Sequence, residues 1–194
     1  MPTDVFRHLD DVLVDVARTG VVHVGAHKGQ EVAAYRAVGF RQITLVEPNP
    51  SLSTGLLTRY GGRVTVHQCA AGAEGRAPMH ITGWTERSSL LEPVDYAVVD
   101  VVDVDVRPLA DLQHGCNVAV LDCQGSELDV LQTAALDELD VVIVEMSTVR
   151  RYRGAAVRDE VAGYLAGLGW RHWGTYGGHS AGITDEAWRN PKCV

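Results

Sequence analysis

Three things are scarce in this 194-residue sequence, and each scarcity excludes a class of protein. No apolar run approaches the ~20 residues that span a bilayer, and Met1-Pro2-Thr3-Asp4 lacks the basic-then-apolar layout of a secretory signal. A cytoplasmic protein without membrane contact is expected. Cysteine is limited to Cys69, Cys116, Cys123 and Cys193, with no Cys-x-x-Cys pair, which argues against a disulfide framework and a zinc knuckle. The histidines form no His-x-x-x-His or His-Glu-x-x-His pair either, so spacing supports no metal site. Lysine is the third scarcity, with 2 lysines beside 15 arginines, and the acids outnumber the bases to leave a formal charge of −8. That balance opposes a general affinity for nucleic acid or anionic lipid. The one dense basic cluster, Arg150, Arg151 and Arg153, reads as a solvated loop. Abundant Arg, Ala, Val and Gly suit a GC-rich bacterial genome.

A hydrophobic content of 46% can bury one good core, so residues 1–194 are expected to form a single domain. Val5, Leu9, Val12, Leu13 and Val16 fall at helical spacing and predict an amphipathic helix within residues 1–19. Short apolar runs then alternate with helical patterns. Strands are expected at 21–24, 43–46, 64–69, 118–121, 141–144 and near 170–176, and helices at 31–38, 51–60, 126–137 and 155–168, with Ser51 capping the second. Glycines and prolines punctuate residues 70–92, which read as a loop-rich excursion with one strand at 78–82. From Val102 onward, alternation suggests an edge strand whose Asp103 and Asp105 face water. Alternating βα units with continuous apolar strands predict an open, mainly parallel α/β sheet covered by helices on both faces. Residues 20–146 are its cofactor-binding core and 147–194 a C-terminal helix, strand and capping loop. Ligands in such sheets bind outside the carboxyl ends of the strands.

Four polar residues stand at or beyond such ends: His27, Glu47, Asp122 and Glu145. The turn Gly25-Ala26-His27-Lys28-Gly29 lacks the middle glycine that brings a backbone close to a pyrophosphate, which weakens a nicotinamide or flavin reading. Glu47 closes the second strand and suits an acid that accepts from both ribose hydroxyls. A nucleoside cofactor without phosphates, S-adenosylmethionine, satisfies both facts. The stretch Cys69-Ala70-Ala71 offers small side chains for a flat adenine ring, and Ser88 and Ser89 are candidate substrate contacts or a turn pair. His179, in a glycine-flanked polar loop, is a candidate general base.

Three segments together are more specific than any one. Val24-Gly25-Ala26-His27-Lys28-Gly29-Gln30, Val46-Glu47-Pro48-Asn49-Pro50, and Leu121-Asp122-Cys123-Gln124-Gly125-Ser126-Glu127-Leu128-Asp129-Val130-Leu131 resemble the signatures of the FkbM family of S-adenosylmethionine-dependent methyltransferases, over roughly residues 20–146. Asp185-Glu186-Ala187-Trp188 is similar to the family's terminal strand, expected to be antiparallel. The resemblance implies a Rossmann-like class I methyltransferase fold, S-adenosylmethionine as cofactor with S-adenosylhomocysteine as product, and O-methylation of a small molecule, in a natural-product or sugar setting. It places His23, Gly25, Ala26, His27, Gly29, Glu47, Pro48, Asn49, Cys69, Ala70, Ala71 and Asp122 around the cofactor. Asp122, Glu145 and His179 are then candidates for catalysis, and Ser88, Ser89 and Glu145 for the acceptor. The family usually has Asp at His23, Lys at Val120 and Glu at Gln124. Those departures keep a non-catalytic cofactor-binding scaffold in view, and a nicotinamide-dependent oxidoreductase, which would need the pyrophosphate loop that Ala26-His27-Lys28 fails to provide, is the less favoured alternative.

Overall fold

The computed structural model describes residues 4–180 and 182–193, apart from the side chains of Asp4, Gly178, His179 and Ser180. A 3-10 turn at Asp4–Arg7 leads into α1 (Leu9–Val12). There follow β1 (Gly20–Val24), α2 (Val32–Ala37), β2 (Gln42–Val46), α3 (Pro50–Tyr60), β3 (Thr65–His67), β4 (Ala70–Ala71), β5 (Gly75–Thr82) and β6 (Val98–Arg107). The second half runs α4 (Leu109–Leu112), β7 (Val118–Leu121), α5 (Glu127–Leu131), β8 (Val141–Ser147), α6 (Arg158–Gly167), β9 (Arg171–Ser180) and β10 (Ile183–Arg189).

Seven strands form one sheet in the order β3-β2-β1-β7-β8-β10-β9. The inner pairs are parallel, and β10 runs antiparallel to both β8 and β9. Because strand side chains alternate, each apolar strand feeds two layers. Val22, Val24, Leu121, Val142 and Val144 meet α4, α5 and α6 on one face, while Val21, Leu45, Val120 and Ile143 meet the N-terminal segment, α2 and α3 on the other. This two-sided burial is why the strands read as unbroken apolar runs. The chain leaves β1 towards β2 on one side and returns to β7 on the other, which makes the carboxyl ends of β1 and β7 the topological switch point.

Several sequence expectations need correction. The N-terminal helix is broken: only α1 and the preceding turn form, although Val5, Leu9, Val12, Leu13 and Val16 are all buried as their spacing implies. Asn49, not Ser51, caps α3; its side-chain oxygen accepts from the N–H groups of Ser51 and Leu52, with Pro50 in the first turn, where its missing N–H does no harm. The strand expected at 64–69 ends at His67. Ala70 and Ala71 instead join a separate three-stranded sheet, β4-β6-β5, so the excursion at 70–92 is built on a regular hairpin framework. In that sheet β6 is central rather than an edge, yet Asp103 and Asp105 do face water. The helix expected at 126–137 is shortened to α5.

Candidate functional site

At the switch point the chain must turn sharply without blocking the neighbouring strand. Gly25 does this with φ +80°, and a Cβ there would stand 1.9 Å from the Asp122 carbonyl oxygen, so only glycine lets β1 and β7 close up. The N–H groups of Gly25 and Ala26 donate to Val46 O, and Asp122 N–H donates to Val24 O (3.0 Å), fastening the ends of β1, β2 and β7 together. His27 follows in the left-handed region at φ +47°, which turns its N–H towards the end of β2.

That N–H meets Glu47. His27 N–H donates to Oε2 and Asn49 N–H to Oε1, both at 2.8 Å, and the side chain is 4% exposed. Two backbone donors fix the carboxyl group in one orientation and favour its charged form, but burial outweighs them and lifts its pKa to about 7. Glu47 lines a cleft that also takes in Gly25, Ala26, His27, Pro48, Ala70, Ala71 and Asp122. The lining carries Glu31, Glu47, Glu86 and Asp122 and, among the described residues, no lysine or arginine. Such a wall suits a cationic ligand and offers nothing to a diphosphate.

Asp122 stands at the end of β7. The Gln124 amide nitrogen donates both to Asp122 Oδ1 and to Glu145 Oε2 (3.0 Å), and Tyr152 O–H donates to Gln124 Oε1 (2.7 Å), which settles which way the amide faces. Burial raises the pKa of both acids, Glu145 far more than Asp122, because Glu145 also feels the Asp122 charge. Gln124 thus bridges two buried acids whose charged forms both oppose burial and, in Glu145, each other. Asp122 does not cap α5. Glu127 instead accepts from the N–H groups of Cys123 (2.9 Å) and Gly125 (3.0 Å), and burial lifts its pKa to about 7.

His23 is 3% exposed, accepts from or donates to Tyr35 O–H at 3.0 Å through Nδ1, and stacks on Phe6. Burial depresses its pKa to about 4, so it is neutral. Glu31 Oε2 lies 4.0 Å from the same nitrogen and lines the cleft; burial lifts its pKa to about 7. An acid two residues beyond the glycine loop, at the N-terminal end of α2, therefore stands beside the position where the resembled family carries its strand aspartate.

The structure brings most of the expected site residues together, with exceptions. Gly29 and Asn49 support the loop and helix from outside the cleft lining, and Cys69 is buried in the core beside Ala70 and Ala71. Glu145 lines smaller cavities behind Asp122 rather than the main cleft. Ser88 and Ser89 do line the cleft, but Ser88 Oγ accepts from Thr82 N–H and closes the loop after β5, while Ser89 Oγ donates to Gln124 O at 2.8 Å and fastens the small sheet to the site. His27 Nε2 contacts Thr85 Oγ1 at 2.8 Å. The side chain of His179 lies outside the described residues. Glu31, Met79, Thr85, Glu86, Leu90 and Ser126 complete the lining without having been singled out. Only Glu31 left a trace in the sequence, as the acid two residues after Gly29 at the start of α2. Among the described residues, no group of three or more His, Cys, Asp or Glu side chains converges as a metal site, and no helix is long and apolar enough to cross a membrane.

Comparison with solved structures finds the same fold in the methyltransferase domain of bacterial CtHen1-CN (12% identity, 96% of this chain and 98% of that one, TM-score 0.55). The N-methyltransferase NodS from Bradyrhizobium japonicum is similar to the same degree (11% identity, 96% and 94% covered, TM-score 0.53). So is a protein from Pyrococcus horikoshii assigned provisionally as an RNA methyltransferase (11% identity, 95% and 81% covered, TM-score 0.54). None of the curated proteins matches the sequence. The family model for the methyltransferase FkbM domain matches residues 23–174, from β1 into β9 and well past the segment that carries the sequence resemblance. The match spans most of the chain, cleft and switch point included, and the chain belongs to the FkbM methyltransferase family, with S-adenosylmethionine as its cofactor.

Proposed function

We propose that this methyltransferase acts on a hydroxyl of a small molecule, with Asp122 at the acceptor side of the cleft and Glu47 at the ribose. The observation that carries the reading is Glu47, whose carboxyl group is fixed by two backbone N–H donors in a cleft lined by acids alone among its charged groups. The residues fit the cofactor. Gly25 and Ala26 provide a backbone wall that no side chain obstructs, Ala70, Ala71 and Met79 leave flat apolar space for a base, and Glu31, Glu47 and Asp122 face a positively charged ligand.

When bound, S-adenosylmethionine supplies a methyl group already activated on a sulfonium, so the protein has to align, exclude water and take up a proton. Asp122 suits the last task because it lines the cleft at the end of β7 with its carboxyl group fixed by Gln124, and burial makes that carboxylate a stronger proton acceptor. Pro48 and Asn49 set the turn behind Glu47. Glu145 tunes Asp122 from behind, and Ser88 and Ser89 fasten the loop after β5 and the small sheet rather than gripping the acceptor. The nicotinamide alternative has no cradle for a diphosphate here, and the family match favours an enzyme over a scaffold.

Calorimetry with S-adenosylhomocysteine tests the cofactor half. Glu47→Ala is expected to weaken binding by about 1.5–3 kcal/mol, the worth of hydrogen bonds to a charged group. Unchanged affinity would remove Glu47 from the site. Transfer of labelled methyl groups to a panel of hydroxylated small molecules and to bulk RNA tests the acceptor half. Label that reaches RNA and not the small molecules overturns it.

A further inference from the structure

The cleft contains a hydroxyl that the fold leaves without a partner. Ser126 precedes α5, where a serine ordinarily turns its oxygen onto the N–H groups of the first helical turn. Here φ −97° and ψ 11° are not the extended values of a capping residue, and no capping bond forms. The loop N–H groups of Cys123 and Gly125 are taken by Glu127 instead. Ser126 is 4% exposed, lines the cleft, and its Oγ is buried with no hydrogen-bond partner. A buried polar group left in that state is destabilising, a cost that alanine at this position would avoid.

The neighbourhood indicates which part of a ligand would meet it. Ala70 and Met79 pack with the partly buried Leu90, and all three line the cleft, giving it one apolar end. Ser89 Oγ donates to Gln124 O, which draws Leu90 up to the Gln124-Gly125-Ser126 turn. Ser126 therefore lies on the turn that this bond ties to the Leu90 segment. The acids Glu31 and Glu47 come instead from α2's approach and the end of β2. A flat heteroaromatic ring has the chemistry for that end, with apolar faces and polar edge atoms that need a donor or acceptor.

We propose that the Ser126 hydroxyl hydrogen-bonds the edge of the cofactor's adenine ring, turning about χ1 between staggered positions to do so; this rests on the cofactor reading above. Serine serves here because a hydroxyl donates and accepts, and it leaves space that a larger polar side chain would fill.

The experiment titrates S-adenosylhomocysteine and methylthioadenosine, which keeps the nucleoside but lacks the amino acid, into wild type and Ser126→Ala, with thermal unfolding of both ligand-free proteins. Ser126→Ala is expected to lose about three- to tenfold in affinity for both ligands, the worth of one neutral hydrogen bond. Its melting temperature should hold or rise, because no internal bond is removed. Equal affinities in the two proteins overturn the proposal while leaving the cofactor reading intact. A loss confined to S-adenosylhomocysteine places the hydroxyl on the amino acid end and overturns the adenine assignment. A lowered melting temperature with unchanged affinity marks a structural hydroxyl and overturns it too. If wild type binds neither ligand, the cofactor reading itself falls and takes the proposal with it.

Discussion

Gly25→Ala tests the close approach on which the whole site rests. The added methyl would lie 1.9 Å from the Asp122 carbonyl oxygen and 2.8 Å from its carbon, both main-chain atoms that cannot rotate away. The left-handed backbone at φ +80° alone costs alanine about 1–2 kcal/mol. Relieving the clash separates the ends of β1 and β7, which loosens the bonds from Asp122 N–H to Val24 O and from Gly25 N–H to Val46 O, at about 1 kcal/mol each. The sum is about 3–4 kcal/mol, which lowers the melting temperature by roughly 6–16 °C at ~2–4 °C per kcal/mol for a chain of this size. Gly39→Ala is the control. Gly39 also has a positive φ, +94°, but no atom lies within 4 Å of its Cβ position, so only the backbone term applies. Thermal unfolding followed by circular dichroism should show Gly25→Ala losing at least twice as much as Gly39→Ala. Binding of S-adenosylhomocysteine should weaken in the first variant only. Equal losses in stability, with binding intact in both, would refute the close contact of β1 with β7.

Other expectations concern charge. Glu31, Glu47 and Glu127 each have a pKa raised by burial to about 7, so the stability they give is full below pH 4.5 and is lost as the pH rises through 7. For Glu47 a shift of that size is about 3 kcal/mol. His23, depressed to about 4, works oppositely, but its contribution is complete above pH 6.5. The ligand-free protein should therefore lose melting temperature from pH 6.5 to 8, and the gain from added S-adenosylmethionine should grow over the same range; a gain independent of pH would contradict the acid-lined cleft. Asp122→Asn should fold normally and bind S-adenosylhomocysteine, yet slow methyl transfer to any acceptor found; full turnover would remove it as the proton acceptor. Arg189 is buried, donates to Val12 O and Val14 O, and lies 3.5 Å over the Trp173 ring. Arg189→Met should lose about 2–3 kcal/mol in denaturant unfolding as the N-terminal segment detaches, since both bonds come from a charged donor.

Much of the molecule was legible in the residues alone because the deciding forces are local. Apolar runs such as Val118–Leu121 and Val141–Val144 become parallel strands because only a doubly covered sheet buries them on both faces. Gly25 and Glu47 announce the loop and the acid by their place after such runs. The missing middle glycine and Glu47 already pointed to a phosphate-free nucleoside cofactor, and the resemblance to one family added the enzyme class.

Tertiary structure decided the rest, where residues distant in sequence meet. Asn49 supplanted Ser51 as a cap because the turn after Glu47 aims its oxygen at the helix end. The chain from Gly75 to Arg107 became a sheet because β5 and β6 could pair with each other and β6 also with the two alanines that follow β3. Asp122, Gln124, Glu145 and Tyr152 form one hydrogen-bonded group although 30 positions separate its ends, and Glu31 came to face His23 only once α2 had packed. Periodicity reports which face of an element is buried; it is silent on which side chain from another element will stand opposite, and the chemistry of this site depends on those pairings.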